Sequence, residues 1–520
     1  MSEKLYDVVV IGSGAGGGVV SARLAELGAD VLVLEGGPKI NTRTDFNTHA
    51  LPYEFPFRHV PVMKPGRPGM DGERSRGLGG KTQLWNAVAL RFSERDFKGR
   101  QHDGAGENWP FGYSEMKPYY DRIEGQIGVC GNYDHLEDLP DGVFLPPVPM
   151  KCTDLAIKAG AAKLNVPVIH VRKATLTQAR AARPACHFCG NCMSGCDVAA
   201  KYNSLDVHMI PALKTGKLTL QQNAIVYDLP ISGEARVKEV RYFDRETRAE
   251  NIARGKVVVV ACACAQSVAL LLMSKSSRFP NGLGNSSGEL GKNFIPHITA
   301  GFEAFLIDFI GKPSVNDEGF LDHAYIPSFM HEKQRGYAHS FGIQFNYQNH
   351  RSVGWAKSMK GMGRSYKLSI RDRYPAYLTL TGYHEMLPNK ESFIDLDTER
   401  LDEYGLPRAR RTWKLSESDM RLHTDMTKWC RDILIASKAE ILTDNPAPQT
   451  NHEVGGCRMG TDPRTSVVNE FCRSHDVPNL YVVDASVFPS SSEKNPTLTI
   501  MALATRTADH IADRLSRSEI

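Results

Sequence analysis

The sequence predicts an α/β fold in which a parallel-sheet body is interrupted by a second, antiparallel one. Three observations carry that prediction. The chain opens with a strand, a glycine-rich turn, a helix and a strand in immediate succession. Apolar strand-like runs return between residues 218 and 261 after a long excursion. From about Phe302 to Leu442 the pattern changes to polar-apolar alternation, as in YLTLTGYHEM and SFIDLD, the mark of an antiparallel sheet with one solvated face.

Val8 to Ile11 is a continuous β-branched run, as expected of a strand covered on both faces. GSGAGGG follows, then Val19 to Leu27 carries Ala, Val and Leu at helical spacing until Gly28 stops it. Val31 to Leu34 forms a second buried strand ending at Glu35, which completes a βαβ unit. Residues 38–75 are rich in Pro, Gly and Arg and read as a long, lid-like loop over a ligand. Trp109 to Ile127 reads as a helix with an aromatic face, and a cysteine-rich loop near 183–203 precedes a helical stretch from Asp206 to Leu213. Leu218 to Tyr227, Val237 to Phe243 and Lys256 to Ala261 read as strands returning to the first sheet. Asp419 to Ser437 is the helix expected against the antiparallel sheet, and the last seventy residues return to the first body, closing with a helix from Thr499 to Ile511. The expected organisation is a discontinuous Rossmann-like domain of residues 1–300 and 446–520, enclosing a substrate domain of residues 301–445 on an antiparallel sheet flanked by helices.

Bulk composition sets limits on the function. With 41% hydrophobic and 23% charged residues in 520, the chain can bury a large core and lies outside the disordered and fibrous classes. A formal charge of +4, spread without blocks, gives no warrant for a nucleic-acid partner. The longest apolar run, Val257 to Met273, is broken by Gln266 and Ser267 and is shorter than the roughly 20 residues that span a bilayer, so it reads as a strand followed by a helix. The amino terminus enters its first strand too soon for a signal peptide, which makes the cytoplasm the expected location.

Gly12, Gly14 and Gly17 form G-x-G-x-x-G between a strand and a helix, with Glu35 ending the next strand about 20 residues on. Gly12 permits the tight turn, Gly14 lets the backbone approach a pyrophosphate, and Gly17 lets the helix pack on the strand. The helix N-terminus faces the phosphate charge, and Glu35 is placed to accept from a ribose hydroxyl. An acidic residue there favours an unphosphorylated ribose, leaving NAD and FAD as candidates. Val226, on the strand from Leu218, joins the expected cofactor set.

Three further segments choose between them: RGLGGKTQLWNAVALRF from Arg76, NHEVGGCRMG from Asn451, and NLYVVDASVFPSSSEKNPTLTIMALATRTADHI from Asn479. Together they resemble the glucose-methanol-choline, or GMC, family of FAD oxidoreductases along essentially the whole chain. The resemblance implies that Gly79, Gly80, Trp85 and Asn86 lie against the isoalloxazine or pyrophosphate. It also implies that Asp484 bonds the ribityl chain or phosphates, and that Asn495, Pro496 and Thr497 sit beside the flavin ring. His452 is then the catalytic base and Asn495 its partner. Alcohol oxidation needs the hydroxyl proton removed as a hydride leaves carbon, and imidazole titrates nearest working pH. Some pyranose oxidases attach flavin through a histidine at the position held here by Leu84, so dissociable, non-covalent FAD is expected. Ala485 and Ala263 stand where family members usually carry glycine.

Cys186, Cys189, Cys192 and Cys196 give C-x2-C-x2-C-x3-C, the spacing of a ferredoxin cluster loop, although Asp197 replaces the proline that follows the last cysteine there. The readings are a 3Fe-4S or 4Fe-4S cluster, reduced thiols without metal, or zinc. RPACHFCGNCMSGCDVAAKYNS is similar to the loop of GMC dehydrogenases that pass electrons onward, notably large subunits of bacterial glucoside 3-dehydrogenases. That resemblance implies a sugar, glycoside or polyol substrate, a secondary or anomeric hydroxyl oxidised (C3 to a 3-keto sugar among them), and a cytochrome or small subunit as acceptor. Export alongside a signal-bearing subunit would place the chain in the periplasm. A peroxide-forming oxidase with structural cysteines and a non-redox lyase are the competing readings. Gln344, His384 and Glu385 are candidates to line the substrate pocket.

Overall fold

The computed structural model describes residues 4–46, 76–190, 192–313, 322–330, 335–345 and 353–520. Residues 47–75 of the expected lid-like loop lie outside the described residues. The α/β architecture is as expected. Strands Leu218–Gln221, Val31–Leu34, Leu5–Ile11 and Glu250–Val260 lie side by side in parallel. The long strand Glu250–Val260 then forks. Its second half pairs in parallel with Leu480–Val482, and its first half pairs antiparallel with Val240–Asp244, which in turn pairs with Ala224–Asp228. Val8, Val9 and Val10 have no solvent exposure, as a strand covered on both faces requires. Helix Ala15–Glu26 packs against helix Thr497–Ser516, which also packs against helix Tyr113–Ile127, so the chain's last helix seals its first.

Two expected elements of the first body differ. The stretch from Leu218 to Tyr227 is two strands, broken at Asn223, whose φ of 58° turns the chain out of the parallel sheet and into the hairpin. The helix expected from Trp109 begins at Tyr113; Trp109 itself is a core side chain among Phe92, Phe97, Phe111 and Phe488.

The second sheet has six antiparallel strands in the order Ala439–Asn451, His297–Leu306, Tyr377–His384, Phe341–Gln344, Ala324–Ile326 and Ile169–His170. Segment SFIDLD stands apart, paired with Pro407–Thr412 in a two-stranded hairpin. Helix Glu417–Ala436 covers the sheet through Leu422, Met426, Cys430 and Ile433. It starts where Ser416 Oγ accepts from Asp419 N–H at 3.1 Å and the Asp419 carboxylate accepts from Ser416 N–H at 2.8 Å, a capping box. Strand pairing sets up the site: His297 lies opposite Asn451 in the register, so residue 452 emerges beside His297 where both strands meet the parallel sheet's segment of the chain.

Candidate active site

At one end of the site the chain withholds side chains. A Cβ on Gly12 would lie 2.4 Å from Ala261 O, and one on Gly17 would lie 2.0 Å from Gly12 O, so turn, strand and helix close only with glycine at both positions. A Cβ on Gly14 would meet nothing within 4 Å, which leaves open space in front of the N-terminus of helix Ala15–Glu26. That arrangement fits a pyrophosphate. Glu35 is buried, accepting from Ser13 N at 3.1 Å, Ser13 Oγ at 2.6 Å and Gly37 N at 3.0 Å, and burial pushes its carboxyl up. Gly79 N donates to Ser13 Oγ at 3.0 Å, and Gly80 packs on Gly14, so the segment from Arg76 folds over the phosphate turn. Val226 lies on Ala224–Asp228, whose first N–H donates to Glu35 O at 2.8 Å. Asp484 is buried, with its carboxylate accepting from Ser267 Oγ at 2.5 Å and Ser486 N at 2.9 Å. Ala485 opens the short turn after it, and Ala263 takes φ 75°, a conformation glycine adopts at lower cost.

At the other end, polar side chains are drawn into a row. Gln344 Nε2 donates to Asn495 Oδ1 at 2.7 Å, and Asn495 Nδ2 lies 3.3 Å from His452 Nε2. His452 Nδ1 lies 3.0 Å from His297 Nδ1, and His297 Nε2 lies 3.1 Å from Ser491 Oγ. The Tyr383 ring stacks on His452 with centroids 5.8 Å apart. Burial, the His297 ring and the Lys81 charge hold His452 well below the usual imidazole range, so it is a neutral base. Asn495 precedes Pro496 and Thr497 at the start of helix Thr497–Ser516.

The structure brings together His452, Asn495 and Gln344. Asn86 is engaged elsewhere, accepting from Lys173 Nζ at 2.8 Å and donating to Asp322. His384 hydrogen-bonds His423 at 3.2 Å, and Glu385 walls a separate charged cavity. Sequence reading missed His297, Ser491, Tyr383 and Lys81. Nothing local sets His297 apart among 17 histidines; only its pairing with Asn451 would have found it.

Trp85 Nε1 donates to Tyr202 O at 2.9 Å, tying the segment from Arg76 to the chain that follows the cysteine loop. The buried Lys201 amine ties the two again, donating to Gln83 O at 2.9 Å, Trp85 O at 3.1 Å and Cys192 O at 2.6 Å; burial pushes it down to about 8. Cys186, Cys189, Cys192 and Cys196 wall one cavity beside Lys201. Burial and the neighbouring thiols push Cys186 up. Among the described residues, no group of three or more His, Cys, Asp or Glu side chains is disposed to hold a metal ion. All four cysteines line this one cavity.

An open phosphate turn at one end and an imidazole-amide pair at the other define a nucleotide-dependent oxidoreductase. The chain matches the GMC oxidoreductase family over residues 15–299 and 388–504, and it belongs to that family. Membership implies FAD as cofactor and CH–OH groups as the site of oxidation. It is 28% identical to the fructose dehydrogenase large subunit of Gluconobacter japonicus, over 98% of each chain. It is 29% identical to the 2-methyl-1,2-propanediol dehydrogenase of Mycolicibacterium austroafricanum, over 98% of this chain and 96% of that one. Identity to the paromamine 6'-oxidase of Streptomyces fradiae is 29%, over 99% and 93%. The fold is shared with pyridoxine 4-oxidase of Mesorbium loti, with a TM-score of 0.68 and 17% identity over 97% of this chain and 99% of that one.

Proposed function

We propose that this protein is an FAD-dependent dehydrogenase that oxidises a secondary or anomeric hydroxyl of a sugar or glycoside and passes the electrons to a partner. The observation that carries the reading is the Gln344–Asn495–His452 row. Gln344 fixes the amide of Asn495 so that its N–H is aimed at His452 Nε2, which is therefore unprotonated and accepting. A substrate hydroxyl entering between them donates to His452 Nε2 and accepts from Asn495 Nδ2. The base then removes the hydroxyl proton while the amide stabilises the charge left on oxygen. Bound flavin supplies the acceptor for the hydride that leaves the same carbon. The open space at Gly14 and the fold of Gly79 and Gly80 over it support their assignment, with Gly12, Gly17 and Glu35, as cofactor-binding residues. Leu84 packs with Ile40 and Phe46 and offers no nucleophile, in keeping with non-covalent FAD.

The relatives' names support the substrate class: one acts on fructose, one on a diol and one on paromamine. The words "large subunit" in the first support a partner subunit as acceptor. An iron–sulfur cluster on Cys186, Cys189, Cys192 and Cys196 rests on their spacing and their shared cavity behind Trp85. The second reading, a peroxide-forming oxidase with structural cysteines, is favoured by the paromamine 6'-oxidase likeness.

Anaerobic titration of the purified protein with glucosides, ketoses and simple alcohols tests the proposal. Bleaching of a yellow flavin by a sugar, with a keto-sugar product and little peroxide under air, is the expected result. Stoichiometric peroxide with no bound iron would favour the oxidase, and a flavin that no polyol bleaches would favour a lyase.

A further inference from the structure

We infer that the hydroxyl proton taken up by His452 is relayed through His297 and Ser491 into a charged cavity, which makes His297 a proton-transfer residue of this enzyme. The inference rests on the proposed role of His452 as base.

The hydrogen bonds of the row all run one way. Asn495 N–H occupies the lone pair of His452 Nε2, so the single proton of the neutral ring is on Nδ1. That Nδ1–H points at His297 Nδ1, 3.0 Å away, which must accept. His297 then carries its proton on Nε2, donating to Ser491 Oγ at 3.1 Å, and Ser491 Oγ–H donates to Ser492 O at 3.3 Å. A proton arriving at His452 Nε2 is therefore matched by one leaving Nδ1 for His297 Nδ1 and by one leaving His297 Nε2 for Ser491 Oγ, whose own hydroxyl proton turns from Ser492 O to a carboxylate of the cavity that Ser491 lines. The rings need not turn. One O–H bond breaks at the substrate and one forms on a cavity carboxylate, while each imidazole gains one N–H bond and loses the other.

Neither ring is suited to hold that charge. His297 is fully buried, and burial pushes it down to about 4; the groups around it are His452, the Tyr383 ring, Ser491 and the Glu493 carboxylate. His452, with Lys81 also acting on it, is lower than the usual range as well. A base that cannot store a proton must pass it on. The place to pass it is at hand: Ser491 walls a cavity shared with Asp96, Asp103, Glu385 and Glu493, whose counter-charges are Arg95, Lys494 and His339. Burial pushes Glu385 up to about 7, against the pull of His339, so this carboxylate takes up and releases a proton near neutrality. His339 Nε2, on a ring in the same wall, is buried without a hydrogen-bond partner among the described residues. The proton rests in this cavity while the hydride leaves, and the row resets when product departs and the proton returns to bulk water through the substrate face.

Two measurements test the relay. In ¹⁵N-histidine spectra of the oxidised holoprotein, His452 should be protonated on Nδ1 and His297 on Nε2. A His297 signal from Nδ1–H would overturn the assignment without any turnover being measured. In anaerobic stopped-flow, His297→Gln should bleach flavin roughly 10–100-fold more slowly at unchanged FAD content. His297→Ala should be partly rescued by added imidazole. The wild-type rate should fall along a curved line with increasing D2O fraction, and the His297→Gln rate along a straight one. Wild-type rate and curvature in His297→Gln would end the relay alone. A wild-type flavin that no polyol bleaches would end the functional reading and the relay with it.

Discussion

The two ends of the candidate site are built by opposite means. At the phosphate turn the chain achieves its geometry by leaving atoms out, and its three glycines and Glu35 all lie within the first 35 residues, with Ala261, Gly79 and Gly80 closing around them. At the reacting end the geometry comes from side chains gathered across the chain: Gln344 from one strand, His297 from another, His452 just past a third, and Ser491 and Asn495 from the last loop. The first end has a local kernel of strand, turn and helix, to which the distant segments are fitted. The second exists only after a sheet with non-local pairing has formed.

The sharpest break in that comparison is at the turn. Gly17→Ala drives a methyl into Gly12 O and should leave little folded holoprotein, whereas Gly14→Ala meets no protein atom. It should keep wild-type thermal stability and lose only FAD affinity. Melting temperature and FAD content on both variants separate the two; equal behaviour would mean that the turn is not shaped as described.

Next in size is a pH effect from the reacting end and its surroundings. Burial holds His297, His384 and His208 neutral down to about 4, 3 and 3, whereas the unfolded chain takes up protons from about 6.5. Unfolding then binds protons, so stability present above pH 6.5 is lost as pH falls toward 4. His297 alone accounts for about 3 kcal/mol by pH 4. His339 runs the other way: despite burial, Glu385 and Asp103 hold it up at about 9, and its contribution is lost as pH rises through 9. Denaturant midpoints from pH 4 to 7 check the first slope, and His297→Gln should flatten it.

The smallest effect is at Gln344, whose side chain donates to the Asn495 amide. Gln344→Ala frees Asn495 to rotate and should slow flavin reduction about fivefold, one hydrogen bond's worth. A larger loss would mean that Gln344 also holds substrate.

The same division explains what could be read beforehand. Gly12, Gly14, Gly17 and Glu35 follow a spacing rule, and the β-branched run Val8 to Ile11 specifies its own burial. His452 and Asn495 were named from family likeness rather than from spacing, since 43 residues separate them and no periodicity links them. His297 was invisible because its place depends on the register opposite Asn451. The cysteine loop shows the converse: its spacing is legible in the sequence, but its place is set by Lys201, which binds Cys192 O and Trp85 O and holds the loop against the segment from Arg76.

The central claim is that a neutral imidazole at 452, aimed by Asn495, removes the hydroxyl proton at the flavin. Anaerobic flavin reduction by a sugar that bleaches the wild type, repeated with His452→Ala, tests it most directly. The account predicts a rate lower by about 10²–10⁴ with FAD content and fold unchanged. Reduction at the wild-type rate would contradict it.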